Sequence, residues 1–193
     1  FNDYTTWTNL LKMVESIDYT EETVTGVNKI DHVTHNCHPG NVDVWAENYK
    51  NWFGMYQNKY FDIDGKETGL ISRAMMSSVG NMAIPLNEDK DEKGQIAQFI
   101  RDFKGEGVQH IALETNDIYF TVKQLKKQGI QFLSVPDEYY DTIDERIDEH
   151  KEDVTALKEM GILIDGGKED GILLQIFTEP IVGPVFFEII QRK

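Results

Sequence analysis

The chain has 193 residues, with 34 acidic against 19 basic side chains and a formal net charge of −15, a balance that disfavours nucleic acid and anionic membrane surfaces as partners. Its single cysteine, Cys37, excludes an internal disulfide framework and a cysteine zinc site, and no apolar run approaches the roughly 20 residues of a bilayer span, so a cytoplasmic protein is expected. A hydrophobic content of 40% allows a packed core in one domain or two small ones.

Residues 1–28 read as a lead-in with a short helix over 6–14. They show no signal-peptide pattern and no initiator methionine, so a longer parent protein is expected. After Gly26, residues 29–34 form a strand that carries His32. Pro39-Gly40 turns the chain. Asn41 is placed to cap a helix over 42–53, where Val42, Trp45, Tyr49, Trp52 and Phe53 recur close to helical period, and Gly54 is placed to end it. Trp45, Trp52, Phe53 and Tyr56 are expected in the core. Residues 55–63 read as a strand, Asp64-Gly65 as a hairpin turn, and 68–78 and 80–86 as two further strands. This makes a first βαβββ module over 29–86.

A charged loop over 87–93 and a short helix over 95–103, with Ile96, Phe99 and Ile100 on one face, complete a linker over 87–104. The order then repeats over 105–193. A strand over 108–113 is expected to point Val108, His110 and Ala112 to one face and Gln109, Ile111 and Leu113 to the other. Asn116-Asp117 caps a helix over 118–128 ended by Gly129, and 130–135 reads as a strand stopped by Pro136. The acidic segment 139–160 has only a thin apolar stripe, Ile143, Ile147, Val154 and Leu157, which predicts a peripheral, mostly exposed helical insertion. A short β-rich stretch over 161–165 and strands over 171–178 and 185–191 close the chain.

Three polar side chains interrupt strands that otherwise read as buried. His32 and His110 sit in the opening strand of each module; for either one alone, a core histidine bonded to a carbonyl is the plain reading. Glu188 interrupts the apolar run 185–190, and a carboxylate buried without a cation is costly. An exposed edge strand would carry Glu188 harmlessly, but would expose Phe187 and Ile189 beside it. Two histidines and a carboxylate on three strands have the make-up of a facial triad, which leaves three metal positions open and suits non-haem Fe(II). The histidines lie about one module apart, and a pseudo-twofold pair of modules would set the two opening strands side by side. His35 and His38 read as a strand-end residue and a turn residue outside such a site.

The stretches Ile30-Asp31-His32-Val33, Ile84-Pro85-Leu86-Asn87-Glu88, Gly105-Glu106-Gly107-Val108-Gln109-His110-Ile111-Ala112-Leu113, Gly171-Ile172-Leu173-Leu174-Gln175-Ile176-Phe177-Thr178 and Phe186-Phe187-Glu188-Ile189-Ile190-Gln191-Arg192 together resemble the C-terminal catalytic domain of the 4-hydroxyphenylpyruvate dioxygenase family, within the vicinal oxygen chelate superfamily. The resemblance spans most of residues 29–193. It implies an α+β fold of two βαβββ modules around a metal site, with Fe(II) held by His32, His110 and Glu188. It implies a small aromatic 2-oxo acid and O2 as substrates, homogentisate and CO2 as products, and a place in tyrosine and phenylalanine catabolism. Gln109, Gln175 and Asn87 are implied as catalytic-site residues, the two glutamines nearer the iron. Ser72, Asn87 and Gln95 would face the phenol end, Phe177 would stack on the ring and Phe186 would wall the pocket.

The related 4-hydroxymandelate synthase shares iron and substrate but hydroxylates the benzylic carbon, and stays open as an alternative. A non-catalytic binding module of this fold and a glyoxalase-like isomerase using Zn or Ni are further alternatives. Gln109, Gln175 and the missing fourth protein ligand speak against the isomerase. The resemblance implies an N-terminal domain and a C-terminal lid helix that these 193 residues are expected to lack, and a homo-oligomer, dimer or tetramer, for the full-length enzyme.

Overall fold

A computed structural model describes residues 24–64, 69–91, 93–167 and 171–193; the expected helix over 6–14 and the tip of the Asp64-Gly65 turn lie outside them. The first module comprises β1 (Val27–Asn36), α1 (Val42–Phe53), β2 (Tyr56–Asp64), β3 (Gly69–Met76) and β4 (Ala83–Asp89). Helix α2 (Gln95–Phe103) follows. The second module comprises β5 (Gly107–Thr115), α3 (Ile118–Lys127), three short helices α4 (Asp137–Asp141), α5 (Ile143–Arg146) and α6 (Val154–Met160), then β6 (Leu163–Gly167), β7 (Gly171–Phe177) and β8 (Phe186–Arg192). Among the described residues no helix is long and apolar enough to cross a membrane.

All eight strands form one sheet in the order β2-β3-β4-β1-β5-β8-β7-β6. Each module's opening strand lies parallel to its own last strand, and the two opening strands pair antiparallel at the centre. The repeat predicted from the sequence is therefore a structural pseudo-twofold. Alternation along the strands divides the side chains between two faces. On the helix-covered face, Ile84, Leu86, Met75 and Cys37 pack with Val42 of α1, while Ile164, Leu174, Ile176 and Ile189 pack with Ile118 and Val122 of α3 and with the short helices. Helix α2 packs Ile96, Phe99 and Ile100 with Leu70 and Val185. The other face is left for the site.

Several expectations need correction. Residues 130–135 form no strand: Phe132 makes only an isolated bridge to Thr178, and the third strand of the second module's sheet is β6. The loop expected over 87–93 begins later, because β4 runs to Asp89 with Glu88 and Asp89 buried. Both carboxylates cap helices, Glu88 accepting from Val42 N at 2.9 Å and Asp89 from Ala97 N at 2.7 Å. Asn41, the expected cap of α1, makes no side-chain cap bond and donates instead to Glu106 at 2.9 Å. Gly54 does end α1, in the left-handed conformation that glycine adopts without strain. Helix α1 buries only one stripe, so Trp52 and Phe53 are 60% and 68% exposed, and Tyr56 is exposed too, rather than core as expected.

The largest correction concerns the acidic segment. Asp144, Glu145 and Glu149 are exposed as expected. The thin stripe is nevertheless core: Ile143 and Leu157 are fully buried, with Tyr140 and Ile147, against β6, β7 and β8. Breaking the segment into three short helices lets each present one or two apolar side chains inward. We therefore expect Ile143→Ala and Leu157→Ala each to cost about 2–5 kcal/mol of stability. Asp144→Ala and Glu145→Ala should stay within about 0.5 kcal/mol. Thermal or denaturant unfolding of the four variants checks this, and equal effects would return the segment to the periphery.

Glu106 ties the two modules together at the start of β5. It accepts from His38 N at 2.7 Å, Asn41 Nδ2 at 2.9 Å and Trp45 Nε1 at 2.9 Å. Burial works to raise its pKa, but these three donors outweigh it and the net shift is downward from 4.5. A depressed carboxylate stabilises the fold above the unfolded value and loses that contribution as pH falls through the folded value. The Tm advantage of the wild type over Glu106→Gln should thus be constant above pH 4.5 and shrink below it. Melting curves across pH 3–7 read this out, and an advantage that grows on acidification would show that the ionised carboxylate is not the stabilising group.

Candidate metal centre

The site is built by three adjacent strands at the middle of the sheet. Ala112 on β5 is the register partner of both His32 on β1 and Glu188 on β8. It is fully buried and its methyl group leaves room for the two longer side chains to meet above it. His110, two residues earlier, pairs with Thr34 and Phe186. One donor atom from each of His32, His110 and Glu188 lies within 4.8 Å of the others. His32 Nε2 is 3.3 Å and His110 Nε2 3.5 Å from Glu188 Oε2, and the two imidazole rings meet edge to face at 5.6 Å.

Regular pairing from His32 to Thr34 sets this convergence, and breaks in alternation flank it on both sides. The pairing of β1 with β5 shifts between Ile30 and His32, where Asp31 is the extra residue, and again between Thr34 and His35, opposite which Gln109 is the extra residue. Each of these two bulges stands immediately before a histidine, while a third shift, between Val27 and Lys29, lies at the outer end of the pairing. Val108 consequently pairs with His35, whose ring packs on Trp45 of α1, while His110 pairs with Thr34. The expectation that Val108 and His110 share a face is corrected by that bulge. Each extra residue bonds the Nδ1 of its neighbour: Asp31 Oδ1 at 2.7 Å from His32, Gln109 Oε1 at 3.0 Å from His110.

Glu188 is 3% exposed, so its charge needs compensation. Burial alone would raise its pKa, but hydrogen bonds from His110 and His32 and their charge bring it below 4.5. Burial likewise opposes charge on His32, yet bonds to the Asp31 and Glu188 carboxylates outweigh it and lift the pKa from 6.5 to about 9. Asp31 is held far below the usual carboxylate range: burial works to raise it, and Arg192 and His32 more than reverse this. The upward shift of His32 favours a proton on its ring, which offsets the Glu188 charge in the protein alone, with His110 beside it. Two imidazoles and one carboxylate facing a common point fit a divalent metal, which would take over that role and displace the proton.

The sheet's pseudo-symmetry explains why three protein donors meet and not four. His110 pairs with Phe186, and Glu188 follows two residues later on β8. His32 pairs with Ala83, and the same step along β4 reaches Pro85, which has no donor to offer. A metal held here keeps open positions.

The remaining residues singled out in the sequence distribute around this point. Phe177 is the register partner of Glu188 on β7, and Phe186 stacks on the His110 ring at 4.9 Å, with the Phe177 and Phe186 rings edge to face at 5.9 Å. Gln175 pairs with Ile190, one pleat along from Phe177 on the same face. Ser72 pairs with Asn87, and Asn87 with Asn36, giving a polar row across β3, β4 and β1. The sequence reading did not single out Asn36, which is fully buried with both amide atoms unpartnered among the described residues. Gln95, Gln109 and Phe186 line a cleft of about 570 Å³, and Gln95 is exposed at its rim. A second cleft, of about 450 Å³, reaches His32 from the other end past Asp31, Pro85 and Arg192. His35 is buried against Tyr49 and Trp45, and His38 is exposed; neither reaches the cluster. Thr34, whose hydroxyl lies 2.9 Å from His110 Nε2, was also missed, because a threonine in a strand carries no signal of its own.

Glu188→Gln keeps the shape of the side chain and removes its charge. Since changes to the groups behind a metal ligand cost about 10–100-fold in affinity, loss of a charged ligand should cost at least that, and Glu188→Ala more. Metal content after loading and desalting checks the expectation; wild-type content in Glu188→Gln would remove Glu188 from the ligand set.

Residues 29–166 match the Glyoxalase/Bleomycin resistance protein/Dioxygenase superfamily. The chain is 55% identical over 170 residues to a 4-hydroxyphenylpyruvate dioxygenase of Legionella pneumophila, covering 87% of this chain and 49% of that protein. It is 55% identical over 169 residues to hemolysin VllY of Vibrio vulnificus, covering 87% and 47% respectively. A mutant of 4-hydroxymandelate synthase from Streptomyces coelicolor superposes with a TM-score of 0.75 at 33% identity, over 86% of this chain and 49% of that one. The chain spans about half the length of the curated relatives it matches.

Proposed function

The chain belongs to the Glyoxalase/Bleomycin resistance protein/Dioxygenase superfamily, and from that membership we propose that it is the catalytic domain of a non-haem Fe(II) dioxygenase converting 4-hydroxyphenylpyruvate and O2 to homogentisate and CO2. The observation that carries the reading is the convergence of His32, His110 and Glu188 with Pro85 where a fourth donor would stand. Similarity to the Legionella dioxygenase supports the choice of substrate.

In this reading His32, His110 and Glu188 hold the iron. Bound iron supplies redox chemistry with dioxygen and open positions for the carboxylate and keto oxygens of a 2-oxo acid. The chain's own residues do the rest. Phe177 and Phe186 flank the ring and exclude water from it. Gln109 and Gln175 donate hydrogen bonds near the metal and orient the 2-oxo acid. Ser72, Asn87 and the adjacent unpartnered Asn36 offer hydrogen bonds to the phenol, with Gln95 at the rim of the cleft. Fixing both ends of the substrate turns binding energy into alignment of the side chain beside the ring. A cytoplasmic homo-oligomer taking part in tyrosine and phenylalanine breakdown completes the reading, supported by the acidic composition and the identity to the curated dioxygenase.

The glyoxalase-like alternative is disfavoured by Pro85 and the three-donor set. The mandelate synthase alternative keeps the same metal and substrate, and the structural likeness to that enzyme favours it as the second reading. The full-length protein loaded with Fe(II) and given 4-hydroxyphenylpyruvate should consume one O2 and release one CO2 per homogentisate formed. Asn87→Ala should keep metal uptake and lower turnover about 10-fold or more, reflecting loss of a hydrogen bond of about 1.5 kcal/mol or more to a buried polar group. 4-Hydroxymandelate as the product would select the second reading, and no oxygen consumption would reject both.

A further inference from the structure

Asp31 and His32 are neighbours in sequence, and in a regular strand they would point to opposite faces of the sheet. The bulge at Asp31 cancels that alternation. Its carboxylate accepts from His32 Nδ1 at 2.7 Å and is itself gripped from β8, where Arg192 donates from Nε to Oδ2 at 2.9 Å and from Nη2 to Oδ1 at 2.8 Å. The grip is bidentate, so it fixes the plane of the carboxylate as well as its distance. The Asp31 side chain is only 11% exposed, while Arg192 reaches it from the surface, 58% exposed.

We infer that Asp31, clamped by Arg192, is a positioning residue for the metal centre: it fixes the ring plane and the Nδ1–H tautomer of His32, so that Nε2 is committed to a divalent cation shared with His110 and Glu188. The inference rests on the metal-site reading above. A carboxylate behind a ligating imidazole sets its orientation and raises its basicity. The two histidines are thereby made unequal. His110 is supported by the neutral amide of Gln109, on the wall of an open cleft, whereas His32 is supported by an anion locked to a second strand. Arg192 stands four residues from Glu188 on β8, so one strand delivers a ligand and also anchors the support of another ligand. Any movement of β8 relative to β1 would disturb both. In this arrangement Arg192 hydrogen-bonds Asp31 and adds only its charge near Glu188, which gives the inference a largely non-additive signature.

The test uses the intact protein, stripped with a chelator and titrated with Co(II), whose visible absorption reports ligand geometry. Asp31→Ala should weaken Co(II) binding about 10–100-fold and change the Co(II) spectrum. Asp31→Asn, which keeps an acceptor without the charge, should recover part of the affinity and the wild-type band shape. Arg192→Met should weaken binding by a smaller factor in the wild-type background and by clearly less than that in Asp31→Ala. Asp31→Asn also guards against misfolding of the alanine variant, because its circular dichroism and melting can be matched to wild type before titration. Wild-type affinity and spectrum in Asp31→Ala, or equal losses from Arg192→Met in both backgrounds, would overturn the role of Asp31 alone. A wild-type protein that takes up no Co(II) would overturn the metal centre and this inference together.

Discussion

The antiparallel pairing of β1 with β5 is the contact on which everything else depends. It joins the two βαβββ modules, setting their opening strands side by side at the centre of the sheet. Because each opening strand carries a histidine at a comparable level, the pairing converts two residues far apart in sequence into rings 5.6 Å apart. The parallel pairing of β5 with β8 then brings Glu188 level with Ala112, and hence with His32 two strands away. Strands lie roughly 4.8 Å apart, so side chains two strands apart can meet only if the residue between them is small. Ala112 meets that condition. A larger side chain there would occupy the point at which the three donors converge.

The energetics of the site follow from burial of Glu188. A carboxylate almost removed from water is tolerable only with a cation beside it, and the protein provides either a proton on His32 or a place for a metal. The extended set, with Asp31, His32, Glu188 and Arg192, alternates negative and positive charge across β1 and β8. Thus no member is left unpaired, and the two carboxylates do not face each other. The same chain of contacts that makes the site affordable in the absence of a metal also holds its donors in place, so little rearrangement is needed to bind one.

The sequence showed the modules, the histidine strands and Glu188 because each is marked by a polar residue in an apolar run or by a clear period. What it did not show depends on contacts far away in the chain. Residues 130–135 are apolar enough for a strand but have no continuous partner, whereas β6 (Leu163–Gly167), read as only a short β-rich stretch over 161–165, gains one in β7. The stripe Ile143, Ile147 and Leu157 looked too sparse for core because a sparse stripe on short helices can still be wholly buried when the chain bends between them. Asn41 looked like a cap, but the buried Glu88 reached the helix terminus first. Asp31 was legible as a letter and illegible as a site residue: strand alternation points it away from His32, and nothing local announces the bulge that points it back.

Strand β1 also connects the metal to the far end of the pocket. β1 carries His32, then Thr34 against His110, then Asn36 in the polar row with Asn87 and Ser72. The distance from metal to polar row is therefore set along one strand, about 3.3 Å per residue, and not by loops that can drift. Gln109, the extra residue on β5, lies just beyond the regular stretch that sets His110 and His32 on one face, and past it Val108 pairs with His35, whose ring packs on Trp45. A substrate held between the metal and the row would have its ring placed by strand geometry, with Phe177 and Phe186 limiting its tilt. Where the ring lies relative to the metal decides whether a ring carbon or the benzylic carbon is nearer, so the choice between those two reactions is a question of how deep the polar row sits and how the aromatic walls lean. Both reactions share the three donors; the register of β1, β4 and β3 is where they would part.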